Sequence, residues 1–202
     1  MTQEVDSVAG SAVPDEDQQA RAGVYSLLGA LLAAPPDSGL LDVLRDLQPG
    51  AGLLSPAWEQ LREAARQARP DALQDEYHAL FIGLGRGELA PYGSWYLTGF
   101  LMEKPLAQLR ADLRSMGFAR QEGVAEPEDH AAAVCEVMAM TITENRLTFL
   151  EQSTFFATHL GSWLPRFFQD LEQADSASFY RAVGGLGNRF MAVEQEYFAM
   201  PA

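Results

Sequence analysis

EPEDHAAAVCEVMAMTIT, residues 126–143, sets a cluster of acids ahead of a long run with a helical period. Within it Val134, Val137, Met138, Thr141 and Ile142 return every three or four positions, the period of a helix that buries one face. Pro127 stands where a first helical residue belongs, because the amide it lacks would be unpaired there in any case. The spacing predicts a helix from Pro127 to about Arg146, a rod of ~20 residues and roughly 30 Å that crosses the core. Glu128 and Asp129 fall in its first turn, where carboxylates complement the positive end of the helix dipole. His130 aligns with Val134, Val137 and Thr141, so it points inward or into a groove. Two readings stay open: acids that merely start a helix beside a satisfied core histidine, or a polar cluster at the mouth of a cavity.

Outward from that stretch the same period recurs. Val24, Leu27, Leu28, Leu31 and Leu32 form one group, and Leu40, Leu41, Val43, Leu44 and Leu47 a second, each ended by Pro or Gly. Ser38 and Ser55 sit where N-caps belong, Pro56 follows the second, and Trp58, Leu61 and Ala65 supply a stripe. Pro70 opens a helix whose Leu73, Tyr77, Leu80, Phe81 and Leu84 share one face, stopped by Gly83, Gly85 and Gly87. LAPYGSWYLTG, residues 89–99, reads as an ordered loop. Lys104-Pro105 starts a helix to Met116, with Gly117 as a left-handed stop. Helices then cover Phe155 to about Gln173, interrupted at Pro165, and Ser178 to about Tyr197, capped by Asp175 or Ser176.

No segment reads as a strand and no repeat is visible. The expected fold is all-α: one bundle-like domain of roughly eight to ten helices over residues 17–198. Its sub-lobes, about 17–116 and 127–198, are joined by a connector at 117–126 and are candidates for exchange between two chains. Residues 1–16 read as a disordered acidic tail.

At 202 residues with 48% hydrophobic and 21% charged side chains, the chain can bury a sizeable core. Twenty-eight acidic residues against 14 basic ones give a formal charge of −14, which repels phosphate backbones and argues against nucleic acid as a partner. Nothing before Arg21 is basic and no apolar run precedes it, unlike a secretory signal. The uncharged stretch Val24–Pro36 falls short of the roughly 20 residues a membrane span needs. The lone Cys135 fits a reducing compartment, and the expected location is the cytoplasm, with no membrane attachment by the chain's own signals.

Tyr77, Phe81, Tyr92, Trp95 and Tyr96 put five aromatic rings within twenty residues, explained by core packing or by a groove for an apolar peptide. A two-metal carboxylate bundle would need repeated Glu-x-x-His pairs; Asp75-x-x-His78 is the single acid–histidine pair at that spacing, so no metal site is expected. Nothing at helical spacing activates Cys135, and Gly83–Gly87 lacks the strand and Gly-Lys-Ser/Thr of a phosphate loop.

Three blocks together resemble the TorD/DmsD family of redox-enzyme maturation chaperones, to which the NarJ-type chaperones are related. They are EYHALFIGLG (76–85) with PYGSWYL (91–97), EPEDHAAAVCEVM (126–138), and FFATHLGSWLPRFFQDLEQA followed by FYRAV (155–183). The resemblance implies a non-enzymatic, all-helical cytoplasmic chaperone, monomeric or homodimeric and without a cofactor. It would bind the twin-arginine signal peptide, and the mature part, of a molybdenum-cofactor oxidoreductase before export. It implies roles for Asp129 and His130 in recognising that peptide, and makes Tyr77, Leu80, Phe81, Pro91, Tyr92 and Trp95 candidates for the groove. Glu126 and Glu128 join Asp129 as expected partners of the arginine pair, since recognition of a basic then apolar segment needs carboxylates beside a nonpolar trough. The competing readings are a helical metal-dependent enzyme using His78, His130 and His159, and a dimerisation scaffold whose aromatics are all core.

Overall fold

The computed structural model describes residues 16–83, 87–119 and 126–200. The tail expected at 1–16, apart from Glu16, and residues 120–125 of the expected connector lie outside the described residues. Among the described residues ten α-helices follow one another: α1 (Glu16–Ala33), α2 (Ser38–Arg45), α3 (Ser55–Gln67), α4 (Pro70–Tyr77), α5 (Gly93–Thr98), α6 (Lys104–Ser115), α7 (Ala131–Thr143), α8 (Phe149–His159), α9 (Leu164–Gln173) and α10 (Phe179–Ala199). The fold is all-α, and no strand occurs among the described residues.

The bundle is organised by two close helix pairs. α1 lies along α7, and a side-chain carbon at Gly29 would come within 3.0 Å of Glu136 and 3.3 Å of the Ala132 carbonyl oxygen. α10 packs on α9 just as closely, because Gly187 admits the Phe168 ring to within 2.3 Å of where a Cβ would stand. α10 also rests on α3, α1 and α4, so helices from both ends of the chain share one core. Tyr25, Leu28, Leu61, Phe167, Phe168 and Tyr180 are fully buried there.

Polar groups inside the core join distant elements. Arg21 on α1 forms a two-pronged pair with Glu194 on α10, Nε to Oε1 and Nη2 to Oε2 both at 2.7 Å, and the Tyr25 hydroxyl donates to the same carboxylate at 2.9 Å. The free carbonyls at the end of α1 are met by two tyrosines: Tyr77 reaches Leu32 and Ala33, and Tyr180 reaches Leu31.

Several boundaries differ from the sequence expectation for physical reasons. Asp37, not Ser38, caps α2, accepting from the Leu40 amide at 2.8 Å. α4 ends at Tyr77 and continues as a π-helical turn, His78–Ile82, before Gly83 at φ 60° stops it. Residues 93–98 of the expected loop are helical. α7 begins at Ala131, four residues after Pro127, and ends at Thr143. α8 starts at Phe149, ahead of the expected Phe155, behind a reciprocal cap between Thr148 and Glu151. The cap of α10 comes from Glu76, not from Asp175 or Ser176; its carboxylate accepts from the amides of Ser178, Phe179 and Tyr180 at 2.7, 3.2 and 2.8 Å. Gly117 does stop α6, at φ 79°.

Candidate functional site

The segment Glu126–His130 is not helical because its backbone is used elsewhere. The Ala131 amide donates to the Pro91 carbonyl at 2.8 Å and the Gly93 amide to the Asp129 carbonyl at 2.9 Å, an isolated antiparallel bridge between Tyr92 and His130. Two motifs more than thirty positions apart are clamped together by that bridge.

Asp129 stands at its centre. Its Oδ2 accepts from the Ser94 amide at 2.8 Å, at the start of α5. The residue is 4% exposed, and its Oδ1 is buried without a hydrogen-bond partner. Asp129 lines a cavity of about 290 Å³ together with Leu97, Thr98, Lys104, His159 and Trp163. Gly93 lets Trp163 close against it in the cavity wall: a Cβ there would lie 3.1 Å from the Trp163 indole nitrogen. His159 faces the cavity while its Nε2 is 2.7 Å from Asp112 Oδ2, tying α8 to α6.

His130 is the N-cap of α7, with Nδ1 accepting from the Ala132 amide at 3.1 Å. An accepting Nδ1 leaves the proton of the neutral ring on Nε2. Burial lowers the His130 pKa, against a smaller opposing pull from Glu126 and Asp129. Its ring meets Tyr92 edge-on at 5.1 Å, and the Tyr92 hydroxyl donates to Glu126. Burial first, then that carboxylate, push the Tyr92 phenol well above its ordinary pKa. It is therefore a neutral donor at physiological pH.

Glu126 and Glu128 face a different cavity. Arg110 on α6 holds the Glu128 carboxylate at 2.8 Å through both Nε and Nη2. The two glutamates border a groove of about 720 Å³ between α6 and α7, walled by Leu113, Phe118, Val137 and Met140 and edged by Arg110, Arg114 and Glu136. Glu126, Glu128 and Asp129 thus do not converge as the sequence suggested. Asp129 looks past Pro105, Gln108 and Leu109 of α6, while the glutamates look past Arg110, Leu113 and Arg114.

The aromatic candidates divide likewise. Tyr77 is 8% exposed and Leu80 fully buried, which corrects their expected place in an open groove: both are core. Phe81 is half-buried with its ring 5.0 Å from Tyr77 and 5.5 Å from Tyr180. Pro91 is buried and serves through its carbonyl in the bridge. Trp95 is partly exposed and lines a cavity of about 480 Å³ with Tyr96, Arg166 and Asp170. Cys135 is buried and its thiol is pushed up in pKa by that burial, so it is inert as a nucleophile. Among the described residues no group of three or more His, Cys, Asp or Glu is placed to hold a metal ion.

Sequence reasoning overlooked one feature. Beside the Asp129 cavity, between α5 and α6, Phe100, Leu101 and Met102 are 68%, 49% and 74% exposed. The signal was present in the bare run of three large apolar residues between Gly99 and Glu103.

The family model described as the nitrate reductase delta subunit matches residues 51–169, more than half of the chain. A curated "Chaperone protein TorD" from Vibrio parahaemolyticus is 30% identical over 160 residues, spanning 71% of this chain and 74% of the relative. The chain belongs to the TorD/DmsD family. A TorD chaperone from Vibrio atlanticus extends the likeness, at 27% identity, to 89% of this TorD/DmsD-family chain and 94% of its own. The fold is shared with a solved structure described as a redox enzyme maturation protein from Archaeoglobus fulgidus, at a TM-score of 0.59 and 22% identity over 85% of this chain and 93% of that one. Membership makes this chain a maturation chaperone and not an enzyme. No helix among the described residues is long and apolar enough to cross a membrane.

Proposed function

We propose that this TorD/DmsD-family chaperone works in the cytoplasm, where it binds the twin-arginine signal peptide of a molybdoenzyme precursor and holds it while cofactor is inserted into the mature part. The observation that carries the reading is the Asp129 carboxylate: one oxygen is fixed by the Ser94 amide, the other is buried and unpaired, and the residue lines a cavity. A buried carboxylate oxygen without a donor is unfavourable, and an entering guanidinium offers several donors to satisfy it. The formal charge of −14 adds a long-range pull on a basic leader.

His130 contributes position here. Capping α7 while its neighbour joins the bridge, it fixes the backbone that aims Asp129. Binding of a short peptide must offset the ordering of both partners, so a reversible, micromolar-range complex of about −8 kcal/mol is expected. Calorimetric titration with a leader peptide, and with the same peptide carrying Gln at both arginines, tests the reading. The arginine peptide should bind at least ~10-fold more tightly, the effect of one charge-assisted hydrogen bond. Equal affinities for the two peptides would remove the recognition.

A further inference from the structure

With Tyr77 and Leu80 sealed in the core, the apolar part of a leader needs another surface. The rim of the Asp129 cavity supplies one. Leu97 and Thr98 on one side and Lys104 and Pro105 on the other line that cavity, and the chain between them is the loop that exposes Phe100, Leu101 and Met102. Three consecutive large apolar side chains held in solvent are unfavourable unless something covers them. Met102 also sits at φ 60°, a backbone region that unbranched L-residues rarely adopt outside turns.

We propose that the Phe100–Leu101–Met102 loop is the docking surface for the apolar residues that follow the basic pair of a client leader. The proposal rests on the reading of Asp129 as the cation site. Continuity selects the occupant: a peptide whose cationic side chain reaches Asp129 can lay its neighbouring residues over this rim, both ends of which line the same cavity and which carries the large exposed apolar side chains. The rival surface is the groove between α6 and α7. Its Arg110 and Arg114 are outnumbered by Glu126, Glu128 and Glu136, but Glu128 is already held by Arg110, whereas Oδ1 of Asp129 has no partner. Lys104 also lines the Asp129 cavity, but its side chain is exposed, so water screens its repulsion.

The test uses the full chain and two synthetic peptides, one with the arginine pair and its following apolar stretch, the other ending just after the arginines. The triple variant Phe100→Ser/Leu101→Ser/Met102→Ser changes only exposed side chains, and circular dichroism checks that it folds. It should lose about 10-fold or more in affinity for the long peptide and keep its affinity for the short one. The groove variant Val137→Ser/Met140→Ser should bind both peptides as the parent does. Unchanged long-peptide affinity in the triple variant overturns the proposal, as does an equal loss in the groove variant. If the triple variant changes only the sedimentation of the free chain, the loop is a contact between copies and the proposal is wrong. Failure of Asp129 as the cation site would show separately, as unaltered binding of the short peptide by Asp129→Asn.

Discussion

The Ser94 amide donates to Asp129 Oδ2 at 2.8 Å, and this single bond both starts α5 and leaves Oδ1 turned away, buried and unpaired. One oxygen of the side chain therefore supports the fold, and the other is the one the proposed function assigns to a leader's arginine. Substitutions can separate them. Asp129→Asn keeps an acceptor for Ser94 and should melt close to the parent, while Asp129→Ala removes it and should lose about 1–2 kcal/mol in urea unfolding. Equal stability of the two variants would show that the Ser94 bond does not support the fold.

Glu76 belongs to the block EYHALF, yet its carboxylate is occupied with three amides at the start of α10. Glu76→Ala should lower stability by about 1–2 kcal/mol, the loss of a helix cap with favourable dipole charge. Leader affinity of the folded variant should stay unchanged, as read by peptide titration at a temperature where both proteins are folded. Lost affinity at full stability would instead place Glu76 in the binding site.

Acid should loosen the chain through His130. Burial lowers its folded pKa beneath the unfolded value of about 6.5, so the unfolded chain binds the extra proton first. Its contribution to stability is present above that value and is lost as pH falls through it toward the folded pKa. Protonation also removes Nδ1 as the acceptor for the Ala132 amide. His130→Asn supplies an N-cap that does not titrate, and urea midpoints from pH 7.5 to 5.5 should fall less steeply than in the parent. Parallel slopes would exclude His130 as the titrating group.

Arg21 and Glu194 join α1 to α10 deep inside the protein, with side-chain exposures of 9% and 0%. Removing one partner strands the other charge, so Arg21→Met should cost about 3–5 kcal/mol. The double variant Arg21→Met/Glu194→Gln should recover part of that loss. Additive losses in chemical denaturation would show that the pair is not coupled.

Helical spacing alone reveals most of this architecture. Leu73, Tyr77 and Leu80 share one face in the sequence, and that face is buried, so the period was the better guide to Tyr77 than its neighbourhood of aromatics. What spacing cannot convey is help from far along the chain. Residues 93–98 look like a loop because Gly and Ser discourage helix locally, but Asp129, 35 positions on, receives the Ser94 amide and lets α5 form. The same contact explains why α7 begins late: Pro127 reads as a helix start, yet residues 129–131 are drawn into the bridge with Pro91 and Gly93. The acids at 126, 128 and 129 look like one cluster in the sequence. The turn of the backbone sends them to two cavities, a separation that no one-dimensional pattern records.

Whether Asp129 reads the basic pair of a leader is decided by a double-mutant cycle. Calorimetry would compare the parent and Asp129→Asn, each with the arginine peptide and its glutamine counterpart. The parent should prefer arginine and Asp129→Asn should erase this preference, with a coupling of about 1.5–3 kcal/mol. Full retention of the arginine preference in Asp129→Asn would contradict it.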